Sequence, residues 1–385
     1  MLIKRIINIA KNSPDYFVKY LRSFPKERLN IYFSNFSQKS FVLKKLWLVL
    51  TYKCNLRCKM CGQWGEKGRS KEFSPEFLSQ ELSYEEYKKI IDDVFKYSPK
   101  IMLMGGEPLL YKNWYDVAKY IKNKNLLLEI TTNGILLKEN SEKILIFDTV
   151  NISLDGPKEI NDRIRGINGG FLKVLEGIKE IENLKRKRNL KKPYINLCCT
   201  ISDQNYLHLT SLVEEIEEEE IEISLLLFQH LEFVNEKIFE ENKIIWQQKF
   251  SKDSEYWSCL CHKRGNIYPE KLFSEITKIK KLKNKKIKFI MFEPDFEKHE
   301  IVSFYTDKEL KKLKEKCLAP WQEVFIYPEG NIWTCPGLVM GNVKEEKLTD
   351  IWNGKNYQRL RKILNEIKFF PVCKSCANHW HNWSN

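Results

Sequence analysis

Cys54-Asn55-Leu56-Arg57-Cys58-Lys59-Met60-Cys61 carries three cysteines, with three and then two residues between them. Thiolate sulfur is a soft ligand that suits zinc and iron–sulfur clusters. A fully held 4Fe–4S cube takes four protein ligands, and this loop supplies three. One iron would keep an open position, where a small molecule could chelate. A zinc knuckle lacking its fourth ligand, or three unrelated thiols, would look the same in this stretch alone. With eleven cysteines in 385 residues, the spacing is improbable by accident.

An apolar run, Lys45-Leu46-Trp47-Leu48-Val49-Leu50-Thr51, feeds straight into the loop. Runs of this kind suit strands of a parallel sheet buried on both faces. Ser83 and Glu86 form a capping box, and Tyr87, Ile90, Ile91, Val94 and Phe95 then make one apolar helix face. A second strand, Lys100 to Met104, ends in Gly105-Gly106-Glu107-Pro108. Helices near 113–122, 141–147, 171–187 and 206–220 lead to strands at 126–131, 149–154, 194–201 and 221–228. Strict alternation predicts a parallel sheet. Six such units predict an α/β fold, a partial (β/α)6 TIM-like barrel with its chemistry at the C-terminal ends of the strands. The cysteine loop, the Gly-Gly-Glu-Pro turn, Thr132-Asn133-Gly134 and Asp155-Gly156 all fall at such ends.

Residues 1–43 predict one or two amphipathic helices, broken by Pro14 and Pro25 and packed on the barrel. A basic helix touching a membrane is the other reading of that segment. Residues 229–305 are less regular, with Trp246, Trp257, Cys259 and Cys261, a helix near 269–282 and a strand-like stretch at 288–292. The tail holds Cys317, Cys335, Cys373 and Cys376, separated by 17, 37 and 2 residues. Between the first two, residues 324–335 predict a hairpin turning at Glu329-Gly330, and one helix near 348–367 precedes the last pair. Four thiols could hold a cluster or a structural zinc.

A net charge of +14 is compatible with a nucleic-acid or anionic-membrane surface. Acidic runs such as Glu217 to Glu220 lie between the basic ones, and no aromatic-studded basic motif appears, so solvated lysine-rich faces are expected and nucleic acid is not. No apolar run reaches the length of a membrane span, and the N-terminus makes a poor signal peptide. The odd, clustered cysteines point to metal ligation in a reducing cytoplasm and away from a disulfide framework.

The cysteine loop, with its Asn-Leu-Arg filling, resembles the cluster loop of the radical S-adenosylmethionine (SAM) superfamily. There the open iron binds the amino and carboxylate groups of SAM. An electron from the cluster breaks the sulfonium, and the resulting 5′-deoxyadenosyl radical takes hydrogen from a substrate. Gly105, Gly106, Glu107 and Pro108 resemble the superfamily's second motif, which implies contact with the methionyl amino group. Ser153 and Arg165 stand where relatives bind SAM's polar groups, Thr132 and Asn133 match more weakly, and Ile201 stands where relatives pack on adenine. The family usually has an aromatic residue before the third cysteine; here it is Met60, which can also pack on an adenine face.

The tail cysteines resemble a SPASM/twitch extension. A full SPASM domain would carry a further cysteine five residues after the last pair, where Asn382 stands, so one auxiliary 4Fe–4S cluster is expected. The resemblance therefore implies two 4Fe–4S clusters, SAM, and an electron donor such as flavodoxin or ferredoxin. It divides the chain into an N-terminal extension (1–43), the radical SAM core with a connecting segment (44–305) and a small iron–sulfur domain (306–385). The implied activity is oxidation of a sugar, cyclitol or other small molecule, with the auxiliary cluster as electron acceptor. A peptide maturase is the alternative, made less favourable by an N-terminal segment shorter than the usual leader-binding domain. A non-catalytic electron carrier is the reading from another class. Asp155, Glu293 and Asp295 are candidate bases by chemistry alone. Cys198 and Cys199 lie in a strand, so one should face the core. Cys259 and Cys261 could touch substrate. His230 could face the cavity but fits a structural role, and His379 and His381 are not expected to be ligands.

Overall fold

The computed structural model describes residues 32–251, 259–260, 266–306, 316–335 and 337–376. The expected helices before residue 32, and Trp257, Cys261, His379, His381 and Asn382, lie outside the described residues.

Ten strands form one sheet: β1 Lys45–Val49, β2 Lys100–Met104, β3 Leu128–Thr132, β4 Thr149–Ser153, β5 Tyr194–Ile201, β6 Leu225–His230, β7 Ile290–Glu293, β8 Glu323–Ile326, β9 Asn331–Trp333 and β10 Val339–Asn342. Their spatial order is β10-β9-β8-β1-β2-β3-β4-β5-β6-β7. Strands β1 to β7 are mutually parallel. The six expected strands are all present, and the strand-like stretch near 290 adds a seventh beside β6. Strand β8 extends the sheet past β1, parallel to it, so the cysteine-rich tail shares the barrel's sheet. The hairpin of β8 and β9 turns through Tyr327 to Asn331, as expected.

Helices cover one face. The predicted capping box starts the helix Tyr84–Val94, where Ser83 N donates to Glu86 Oε2 at 2.7 Å. Its Tyr87, Ile91 and Val94 bury against core residues such as Leu46, Leu48, Ile101 and Leu103. Alternate residues face the barrel interior, which is partly polar. There Lys100 pairs with Glu129 at 3.0 Å and Asn196 Nδ2 donates to Asn151 Oδ1 at 2.9 Å. Trp47 stacks on Phe325 of β8 with centroids 5.1 Å apart.

Two expectations change. The single tail helix is two, Leu348–Trp352 and Lys355–Ile367, broken where the Asn353 side chain turns back to bond both backbone groups of Ser40. The described part of the N-terminal extension is also tied to the tail, beyond any packing on the barrel. Ser40 Oγ donates to Trp321 O at 2.7 Å, and Lys316 Nζ donates to Ser34 O at 2.8 Å.

Arg361 holds this junction. It is 0% exposed, donates to the carbonyls of Pro320 and Gln38 at 2.8 Å and to Asn353 Oδ1 at 2.9 Å, and lies over Trp352. Burial pulls its pKa down to about 9. Arg361→Ala should cost about 3 kcal/mol, because it strands buried acceptors and removes a packed side chain. Urea unfolding measures this, and an unchanged midpoint would remove Arg361 from the junction.

Candidate active site at the C-terminal ends of the strands

The first three strand-end loops are bound to one another by backbone. Gly106 N donates to Thr51 O and Glu107 N to Lys53 O, both at 2.8 Å. A Cβ at Gly105 would lie 2.6 Å from Thr51 O, and one at Gly106 2.3 Å from Lys53 O. Only glycine permits this approach. The second motif is thereby pressed against the chain that leads into Cys54.

Glu107 is fully buried and faces its neighbours. Its carboxylate accepts from Thr132 Oγ1 and Asn133 N at 2.8 Å and from Leu109 N at 3.2 Å. Burial raises its pKa, and these hydrogen bonds offset part of the rise. Asn133 then donates to Asn55 Oδ1 at 2.7 Å, with its amide nitrogen 4.0 Å from Cys54 Sγ. Thr132 and Asn133, the weaker candidates, are thus the link between the second motif and the cysteine loop. Pro108 is buried and opens the short helical turn beyond Glu107.

Cys54, Cys58 and Cys61 are close enough for their charges to disfavour one another. Burial is the larger cause and pushes Cys58 up to about 11, while Arg165 pulls it down. Arg165 Nη2 donates to the buried Asp155 Oδ2 at 2.5 Å, and its Nε is buried with no partner. A soft three-thiol set beside a buried guanidinium with an unspent donor fits a cluster and a ligand carboxylate. Ser153, at the end of β4, is the register partner of Cys198. Ile201 is 0% exposed in the core and lines neither cavity described below.

Two adjoining cavities open beside the loop, of about 420 Å³ and 790 Å³. The smaller is bordered by Cys54, Gly105, Gly106, Thr200, Gln229 and Glu293. The larger is bordered by Arg57, Lys59, Phe233, Ile267 and Tyr305, and both share Met60, Cys61, Trp64, Leu231 and Cys259. Arg69, which the sequence did not single out, lines the smaller cavity and lies over the Tyr327 and Trp333 rings of the β8–β9 hairpin.

Three candidate bases separate by placement. Asp155 also accepts Thr200 N at 2.9 Å, so the arginine and this amide occupy both its oxygens. Asp295 pairs with Lys280 on the outside. Glu293 borders the smaller cavity. His230 is buried beside Phe296 and Phe304, its Nδ1 2.7 Å from Tyr305 Oη, and burial holds it neutral with a pKa near 3. It also borders the smaller cavity, and its Nε2 has no partner. Cys199 faces the core, and Cys198 faces the interior.

The tail thiols gather apart from the loop. Cys317, Cys373 and Cys376 are buried, and burial followed by the charges of Cys317, Cys335 and Cys376 raises Cys373. Burial, with a smaller push from the charge of Glu323, raises Cys317 to about 12 against a backbone hydrogen bond from Ala319. Three buried thiols and the half-buried Cys335, all within electrostatic reach of Cys373, have the soft-donor chemistry of a cluster site, since coordination would replace the lost hydration.

An open parallel barrel with a three-thiol loop at its mouth and a four-thiol tail defines an iron–sulfur protein. Comparison with known proteins agrees. The model described as Radical SAM superfamily matches residues 48–216, and that of the SPASM iron–sulfur cluster-binding domain matches residues 317–377. The tungsten-containing aldehyde ferredoxin oxidoreductase cofactor-modifying protein of Pyrococcus furiosus is 26% identical over 351 residues, covering 87% of each chain. The Fe-coproporphyrin III synthase of Methanosarcina barkeri is 33% identical over 186 residues, 47% of this chain and 42% of that protein. The chain thus spans under half the length of that relative. Among solved structures, Streptococcus suis SuiB bound to S-adenosylmethionine aligns with a TM-score of 0.61 at 14% identity, over 97% of this chain and 82% of that one. The structure of anSMEcpe with bound AdoMet aligns with a TM-score of 0.53 at 16% identity, over 87% and 88%. The chain belongs to the radical SAM superfamily and carries a SPASM domain. Radical SAM domains bind a 4Fe–4S cluster and SAM, and SPASM domains bind further iron–sulfur clusters.

Gly106→Ala should displace the cysteine loop while leaving the tail intact. Reconstituted protein should then lose about four of about eight irons. A full iron content would show that the close approach at Gly106 does not hold the loop.

Proposed function

We propose that this chain cleaves SAM reductively on a cluster held by Cys54, Cys58 and Cys61, and oxidises by two electrons a substrate held in the joined cavities. The supporting observation is the bonding of three strand-end loops around those cysteines, with the unspent Nε of Arg165 beside them. When bound, the cluster and SAM supply a hydrogen-abstracting radical that no side chain here can provide.

The chain's own residues hold and orient. The thiols of Cys54, Cys58 and Cys61 take three irons. Gly105 and Gly106 let backbone approach the ligand's amino group, while Glu107 and Pro108 fix that turn. Arg165, aimed by Asp155, takes the carboxylate, with Ser153 nearby as a polar partner. Met60 offers an apolar surface to a ring, and Ile201 supports the sheet from behind. Leu231 and Phe233 help keep water from the chamber. Cys317, Cys335, Cys373 and Cys376 would hold the second cluster, which would supply an electron acceptor with no position left for substrate. An electron donor such as flavodoxin or ferredoxin would supply the reducing electron, in a cytoplasmic setting.

A sugar, cyclitol or comparable small molecule remains the favoured substrate. The likeness, over 87% of each chain, to a cofactor-modifying protein supports a small-molecule substrate. The larger cavity, about 790 Å³, gives room for a peptide, and a peptide maturase is the second reading. A pure electron carrier needs neither cavity nor the Arg165 arrangement.

Cys58→Ala should abolish 5′-deoxyadenosine formation by reconstituted, dithionite-reduced protein without lowering its melting temperature. Cys376→Ala should keep it. Normal yield from the first variant, or none from the second, would contradict the division of labour between the two thiol sets.

A further inference from the structure

The strand ends opposite the cysteine loop carry an ordered polar row. Thr200 on β5 is the register partner of Gln229 on β6, and Gln229 is the register partner of Glu293 on β7. All three border the smaller cavity with Cys54, Gly105 and Gly106. The residue before Gln229 and the one before Glu293, Phe228 and Phe292, stack at 5.0 Å within the core. Side chains alternate along a strand, so Gln229 and Glu293 face the interior. The charge of Glu293 is also felt by Cys198, an interior residue of β5. Neighbouring parallel strands lie about 4.8 Å apart, so the row spans about 10 Å. Of the three carboxylates that chemistry alone nominated, Glu293 is the one that borders this chamber.

We propose that Thr200, Gln229 and Glu293 form the substrate-binding row, that it takes a substrate rich in hydroxyl or amide groups, and that Glu293 accepts the proton released on oxidation. This rests on the SAM-cleavage reading above. A hydroxyl, an amide and a carboxylate in one line offer donors and acceptors to successive substrate groups, which an apolar ligand would leave unpaired. In the reaction, the substrate's C–H bond gives its hydrogen atom to the SAM-derived radical, and a carbon radical remains. The neighbouring O–H or N–H bond then breaks, and its proton goes to the Glu293 carboxylate. One electron leaves for an oxidised 4Fe–4S cluster, and a C=O or C=N bond forms. The two hydrogens and two electrons of the oxidation are thereby accounted for.

The test uses reconstituted protein with SAM and dithionite, and three probes deuterated on carbon: glucose, myo-inositol and a seryl peptide. Mass spectrometry reads deuterium in 5′-deoxyadenosine and the yield of oxidised probe. At least one probe should pass deuterium. With that probe, Glu293→Gln should keep deuterium transfer but lower oxidised product per 5′-deoxyadenosine by about a hundredfold. Thr200→Val and Gln229→Leu should each raise the half-saturating probe concentration about tenfold, with that ratio unchanged. An unchanged ratio in Glu293→Gln would overturn its role as proton acceptor, as would loss of deuterium transfer along with product. Formation of 5′-deoxyadenosine with deuterium from none of the probes would overturn the substrate class. No 5′-deoxyadenosine at all would refute the SAM-cleavage reading itself, and this proposal with it.

Discussion

The site depends on a backbone contact. Gly106 N reaches Thr51 O and Glu107 N reaches Lys53 O, both at 2.8 Å, and side chains at Gly105 or Gly106 would collide with those carbonyls. Two strand ends are thereby joined where the cysteine loop begins. The third joins through Glu107, whose buried carboxylate takes donors from Thr132 and Asn133. A buried carboxylate is costly unless it is hydrogen-bonded, and here three donors satisfy it. That cost opposes pulling the three loops apart.

The tail is part of the same construction. Strand β8 continues the sheet beside β1 and brings the Tyr327 and Trp333 rings under Arg69, at the wall of the smaller cavity. Tyr52, two residues before Cys54, donates to Glu329 in the β8–β9 turn at 2.9 Å. The loop after β1, which carries Cys54, and the hairpin that leads to Cys335 are therefore attached to neighbouring strands of one sheet, a useful property if electrons pass between clusters. The N-terminal residues 38–40 are clamped to the tail by Arg361 and Asn353, so the chain closes on itself at the barrel's outer edge.

Much of this was legible in the residues. Apolar runs alternating with amphipathic helices placed six strands, because a parallel sheet covered by helices imposes that rhythm. The cysteine spacing and the Gly-Gly-Glu-Pro turn located the site. Side-chain partners were harder to read. Glu107 looked like a ligand contact, and only the fold shows it facing Thr132 and Asn133. Asn133-Gly134 looked like turn chemistry, since nothing local reveals a partner at Asn55. Arg69 and Gln229 carry no motif, and they become site residues because β8 and β7 bring their neighbours alongside. The helix break at Asn353 escaped notice because its cause, Ser40, lies more than three hundred positions away.

The central claim is that the loop of Cys54, Cys58 and Cys61 leaves one iron open to chelate SAM beside Arg165. Electron–nuclear double resonance on the reduced, reconstituted protein tests it directly, using SAM labelled with ¹⁵N in the amino group and ¹³C in the carboxylate. Chelation predicts hyperfine coupling from both labels to the reduced cluster, with the carboxylate signal weakened in Arg165→Met. A reduced cluster of full occupancy that couples to neither label would contradict it.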